Sequence, residues 1–328
     1  FNIFSKAKNT TLNHEGARAY KMTPKMELYA AVATAGLSDN FYENADERLE
    51  RLRALIAAND PHFVAKLAVY AREKMYLRSV PLVLTVELSK LHRGDNLVGR
   101  LTERIVQRAD EITELLAYYQ ASNKREGMKK LNKLSKQLQK GLAAAFNRFD
   151  EYQFAKYNRD TDVRLRDALF LVHPRPKNVL QQALFNRIAA DELKVPYTWE
   201  TELSALGQRA FDTPEARAAA FRAKWEELIL SSKLGYMALL RNLRNILQAG
   251  VRAEIVDMLC IRLADPAEVA KSKQLPFRFL AAYRELMNLP SFHAGAVMVA
   301  LEKAIAASVA NFAGFQSNEK LQIASDVS

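Results

Sequence analysis

From Lys129 to Leu142, apolar and charged positions alternate on the period of an α-helix. Leu131, Leu134, Leu138 and Leu142 fall at i, i+3, i+7 and i+11, and Lys129, Lys133, Lys136 and Lys140 at i, i+4, i+7 and i+11. At about 100° per residue each set forms a narrow stripe, and the two stripes lie on opposite sides. The pattern predicts one helix over 129–142 that buries its leucines. It would present four ammonium groups to solvent, neighbours about 5–6 Å apart.

Helix signals recur along the rest of the chain. Thr23-Pro24, Asp60-Pro61 and Thr213-Pro214 each read as an N-cap followed by proline at the first helical position. Ser79 with Pro81, and Pro276, open further helices, and Gly36 reads as a helix stop. The count comes to roughly 14 helices of about 10–20 residues with short connections, apart from 38–46 and a turn-rich stretch at 158–163. Strands are expected nowhere before the last nine residues, where Lys320-Leu321-Gln322-Ile323-Ala324 reads as a short strand. The apolar run from His293 to Phe315 holds Glu302 and Lys303 near its middle, which favours a buried core helix over a membrane span.

Many short helices with short links leave two architectures, a globular bundle or a stacked α-solenoid of HEAT type. At 328 residues the solenoid is the better expectation, because single cores stop growing at about 250–300 residues. Composition agrees with an all-α fold: 49% of residues are hydrophobic, and there are only 11 Gly and 10 Pro.

Charge then changes the picture. The net charge is +11, which favours polyanionic partners. Most of it lies between Ala121 and Arg166, where twelve Lys or Arg face five Asp or Glu. Phosphates along an RNA backbone would relieve the repulsion within the lysine stripe, although a solvated lysine face gives the same pattern. No Trp lies in that helix and no lipidation motif is present, so a membrane-surface role is not expected. Phe146, Phe149, Tyr152, Phe154 and Tyr157 interleave with the charges. Most are expected in the core, with Tyr157 the best exposed candidate for stacking on a base.

Two other segments carry candidate contacts. The prolines of Leu171-Val172-His173-Pro174-Arg175-Pro176-Lys177 predict a stiff turn that displays His173, Arg175 and Lys177 outward. His173 could equally be a structural hydrogen-bonder. Arg241 and Arg244 share one helix face beside Asn242 and Asn245, and either bind phosphate or pair with carboxylates of a neighbouring helix. The one cysteine, Cys260, fits a reducing compartment, and the five histidines show no zinc spacing.

Several of these segments resemble the TROVE domain of the Ro ribonucleoprotein family. Asn13-His14-Glu15-Gly16-Ala17-Arg18-Ala19-Tyr20, then Gly36-Leu37-Ser38-Asp39-Asn40-Phe41-Tyr42, is similar to its opening. Lys156-Tyr157-Asn158-Arg159, Leu169-Phe170-Leu171-Val172-His173-Pro174, Met237–Leu243 and Pro276-Phe277-Arg278-Phe279 resemble later motifs in order. Ala17 stands for a usual glycine, Val172 for a usual serine, and Arg159 sits one residue early.

The resemblance implies a HEAT-like ring over 1–318, acting as a monomer and without enzymatic activity. It implies binding of small noncoding Y-type RNA on a basic outer surface, with Lys156 and His173 at RNA-binding positions. Single-stranded 3′ ends of misfolded RNA would enter the ring, in cytoplasmic noncoding-RNA quality control, with exoribonuclease or RNA-repair proteins as partners. Residues 319–328 would start a von Willebrand factor A-like domain, with Asp326 and Ser328 as part of a metal motif. The helical part would need no cofactor; a divalent cation such as Mg would belong to the complete A-like domain. Two other classes stay open on the residues alone: a HEAT-like DNA glycosylase and a protein-interaction solenoid.

Overall fold

The computed structural model describes residues 10–12, 15–35, 45–123 and 134–309. It divides into two compact units, Phe1–Pro196 and Tyr197–Ser328.

The first unit opens with a small antiparallel pair, β1 (Thr10–Leu12) and β2 (Arg18–Tyr20), with Thr11 opposite Ala19. After it come α1 (Pro24–Thr34), α2 (Ala45–Ala57), α3 (Pro61–Glu73), α4 (Ser79–Leu91), α5 (Leu97–Ile105) and α6 (Asp110–Ser122). The unit is completed by α7 (Lys136–Phe146), α8 (Glu151–Tyr157), α9 (Leu165–Val172) and α10 (Val179–Ala190). The second unit comprises α11 (Trp199–Gly207), α12 (Pro214–Leu230), α13 (Tyr236–Gln248) and α14 (Ala253–Ala264). It ends with α15 (Pro266–Ser272), α16 (Pro276–Met287) and α17 (Ala294–Val309).

The capping signals act as expected. Thr23 Oγ1 accepts from the Met26 N–H, Asp60 Oδ1 from Phe63 and Thr213 Oγ1 from Ala216, each with proline in the first turn. Each cap satisfies a donor that the helix itself leaves unpaired. The Gly36 stop lies outside the described residues.

Two expectations need correction. The N-terminal hairpin is a sheet where none was expected. Its strands are three residues long and mostly exposed, too short to show a period-two pattern. There are also more helices than predicted, 17 among the described residues. Capping side chains start new segments where periodicity alone runs on. Asp150 and Gln153 form a reciprocal capping box that opens α8, and Asp265 caps α15 before Pro266.

Each unit has its own apolar core. In the first, Leu138, Leu142 and Phe146 of α7 meet Phe154 of α8 and Phe185 of α10, with the Phe146 and Phe154 rings stacked at 5.6 Å. In the second, Trp225, Leu239, Leu243, Phe279 and Leu301 are buried together. α17 is a core helix, burying Val297, Ala300, Leu301 and Ala304 while Glu302 and Lys303 stay exposed. No helix among the described residues is long and apolar enough to cross a membrane.

Ion pairs absorb many of the basic side chains. Glu111 is fully buried and accepts from Arg72 at 2.6 Å and from the N–H groups of Gln107 and Arg108. Glu87 takes Lys90, Arg53 and the Tyr118 hydroxyl. These pairs tie α2, α3, α4 and α6 together, so their cations are not available to a ligand.

Candidate nucleic-acid interface

α7 places the first candidates. It lies so close to α5 that a Cβ on Gly141 would stand 2.5 Å from the Gly99 carbonyl oxygen and 2.5 Å from Thr102 Cβ. With that side buried, Lys136 and Lys140 project from the exposed face. The helix begins at Lys136, and Leu134 and Ser135 before it are not helical, so the predicted single helix over 129–142 does not form as one piece. Leu134 is still buried, which is why the leucine spacing pointed to a longer helix. Lys129 and Lys133 lie outside the described residues. In the shorter helix Lys136 sits at the positive end with no acidic residue in the first turn, so dipole and ammonium attract an anion together.

The turn 173–178 lies against the same helix. Gln139 Nε2 donates to the Val172 carbonyl at 3.2 Å, and Asn147 Nδ2 to the Arg175 carbonyl at 3.0 Å. His173 ends α9 in the left-handed region, φ 50°, and the buried Pro174 comes directly after it. His173, Arg175 and Lys177 are all exposed, as the prolines predicted. Lys177 also donates to the Asn147 carbonyl, so part of its role is structural.

α8 supplies the third group. Phe146, Phe149 and Phe154 are buried, as helical spacing suggested. The exposed ring is Tyr152, 46% accessible, and not Tyr157. Tyr157 is half-buried because the Arg108 guanidinium covers it at 4.5 Å. The Lys156 ammonium stands 5.8 Å from the Tyr152 ring and 5.7 Å from Tyr157. Arg159 is exposed just beyond the helix. Arg164 and Asp160 pair with each other, and Glu151 holds Arg187. Lys136, Lys140, Lys156, Arg159, Arg175 and Lys177 have no carboxylate partner among the described residues.

In the second unit, α13 buries Leu239, Leu240, Leu243, Ile246 and Leu247 and leaves Arg241, Arg244, Asn245 and Gln248 exposed. Arg241, Arg244 and Arg278 line a cleft of about 630 Å³ between α13 and α16. Arg244 is 3.4 Å from Glu285, a weak exposed pair, whereas Arg241 has no such partner among the described residues. Asn242 turns inward and donates to the Ala238 carbonyl, so it belongs to the core. Next to it, at the C-terminal end of α13 and sharing Asn245, is a larger cleft of about 1000 Å³, lined by Arg209, Arg217, Arg222, Phe211 and Phe221 among others. Sequence reasoning missed it. The available signal was Arg217 four residues before Phe221, which places the guanidinium 5.4 Å from that ring.

Among the described residues no group of three or more His, Cys, Asp or Glu is placed to hold a metal ion. Asp326 and Ser328 lie outside the described residues.

The model of the family described as TROVE domain matches residues 28–197 and 190–291. The chain belongs to the TROVE domain family. Members of this family are RNA-binding ribonucleoprotein components. Along the sequence, the two matched segments of this TROVE chain overlap at the boundary between its two compact units. Telomerase protein component 1 of Rattus norvegicus is 26% identical over 349 residues, covering 81% of this chain and 13% of that protein. The Mus musculus protein of the same name is 25% identical, covering 71% of this chain and 11% of that protein. This chain thus spans only about an eighth of those relatives. Among solved structures, the crystal structure of the RO (RSR) protein of Deinococcus radiodurans matches with a TM-score of 0.59 at 17% identity. The match covers 88% of this chain and 64% of that one, a likeness of fold.

Proposed function

We propose that this TROVE chain binds RNA chiefly through the phosphate backbone, using the α7, α8 and 173–178 surface of its first unit. One observation carries the reading. Helix packing leaves exposed cations on α7, on α8 and on the turn 173–178, the turn held to α7 by hydrogen bonds, while many other cations are paired internally. Phosphate contacts of this kind position a nucleic acid without reading its sequence. His173, in a fixed backbone conformation, and Tyr152, with its open ring, add a donor and a stacking face for unpaired bases.

In this reading the ligand is a small structured noncoding RNA of the Y type. Single-stranded 3′ ends of misfolded RNA are a second class, engaged where arginines line clefts. The helices would continue a HEAT-like array curved into a monomeric ring, working in cytoplasmic noncoding-RNA quality control. Exoribonucleases or RNA-repair proteins would act on the bound RNA.

The test is a titration of labelled RNA at several salt concentrations. Affinity should fall steeply, with a slope of log affinity on log salt of about −0.7 to −0.9 per phosphate contacted. Two RNAs of equal length, one with a free single-stranded 3′ end and one a blunt hairpin, should differ in affinity. A flat salt response together with equal affinities would sink the proposal. Sequencing RNA that co-purifies from the native host would name the ligand.

A further inference from the structure

We propose that the cleft between α12 and α13 is a nucleotide pocket that takes one unpaired base and its phosphate; the strand-borne form of this proposal rests on the RNA reading above. The geometry supplies each part such a ligand needs. The cleft, about 1000 Å³, is ample for a nucleotide. Phe221 stands in its wall, with the Arg217 guanidinium 5.4 Å from the ring centroid. A planar cation beside an aromatic ring is a surface on which any base can stack.

For the phosphate the cleft offers three arginines, Arg209, Arg217 and Arg222, against one lining carboxylate, Asp212. Arg222 donates from Nε to the Ala249 carbonyl at 3.3 Å, at the carbonyl end of α13. That bond holds the guanidinium in place and leaves its other N–H groups for an anion. Arg209 and Arg217 are exposed on the cleft wall and have no carboxylate partner among the described residues. Opposite them Asn245 and Gln248 are exposed. Asn245 donates through Nδ2 to Asn242, so its Oδ1 stays available to a donor on a base edge.

Asn245 also lines the neighbouring cleft of Arg241, Arg244 and Arg278. A single strand could therefore lie on those arginines, cross α13 at Asn245 and lodge its next base beside Phe221. A free nucleotide has the same chemistry, so the test distinguishes the two sources.

The experiment uses the full chain and a short unstructured oligoribonucleotide with 2-aminopurine placed at each position in turn. A fluorescent adenosine monophosphate analogue forms the second arm. Variants are Phe221→Leu, which keeps an apolar side chain, and the exposed Arg217→Gln, both checked by thermal melting. The expected result is 2-aminopurine quenching at one register, with strand affinity reduced about tenfold in either variant. Binding of structured RNA through Lys136 and Lys140 should be unchanged. Undiminished strand affinity and quenching in both variants would overturn the pocket while leaving the RNA reading intact. If the protein binds no RNA at all, the RNA reading fails by itself. Mononucleotide binding lost in both variants would then support the pocket for a free nucleotide, and absence of such binding would overturn it.

Discussion

The Lys177 ammonium donates a 3.0 Å hydrogen bond to the main-chain carbonyl of Asn147, the residue that ends α7. Asn147 in turn donates through its carboxamide to the Arg175 carbonyl. The cationic turn and the helix behind it are thus one mechanical piece. Lys177 sits on the negative end of the helix, where a cation stabilises by about 0.3–1 kcal/mol. Lys177→Met should lower stability by about that amount, read as a small shift in the denaturant midpoint. Asn147→Ala removes one of the bonds that hold the turn to α7, leaving those of Lys177 and Gln139, and should weaken RNA binding more than its modest loss of stability explains. Equal RNA affinity for Asn147→Ala and the parent would show that the turn takes no part.

The lysines of α7 permit a direct electrostatic test. Replacing Lys136 and Lys140 together by Gln should reduce the salt slope by about 1–2, since each phosphate contact contributes about 0.7–0.9. Stability should hardly change, because both side chains are exposed. If affinity and slope match the parent protein, these lysines are only a solvated face.

Close packing of α5 on α7 predicts opposite outcomes for two glycines. Gly141→Ala forces a Cβ against the Gly99 carbonyl and Thr102, so destabilisation of about 1–3 kcal/mol is expected. Gly295 lies in α17 with nothing within 4 Å of its would-be Cβ. Gly295→Ala should stabilise by about 0.5–1 kcal/mol through the lower entropy of the unfolded chain. Urea titrations of the two variants check both signs.

Acid should loosen the second unit in a defined way. Glu226 accepts from the Arg252 main-chain N–H and guanidinium, and that main-chain donor foremost holds its carboxyl below the usual range. Glu227 is lowered likewise, first by Lys224 and then by Tyr197. A carboxyl lowered in the folded state stabilises above its unfolded value, about 4.5, and that stability disappears as pH falls below it. Melting temperature should therefore be steady near neutrality and drop below about pH 4.5. Glu226→Gln should flatten the drop, and an unchanged pH profile would contradict the role given to Arg252.

Local chemistry was legible in the chain itself. Thr23, Asp60 and Thr213 followed by proline marked true helix starts, because a cap needs only the few residues around it. The apolar run in α17 and the prolines around His173 were readable for the same reason. The ordered TROVE-like motifs pointed to the family that the matched segments establish. Where α7 begins was beyond this kind of reading. Leu134 is buried although it lies before the first residue of α7, so a periodic pattern cannot locate the break.

Only the tertiary structure decided which charges are free and which rings are open. The sequence determined a basic, helical chain and the segments on which its cations fall. It could not say that Arg108 covers Tyr157, that Lys177 ties down α7, or that Arg209, Arg217 and Arg222 meet around one cleft. The first two depend on pairing between residues tens of positions apart, and the cleft on how α12 and α13 pack. A charge's availability is set by the carboxylate, carbonyl or ring that packing brings beside it, and spacing along one helix carries no record of the others.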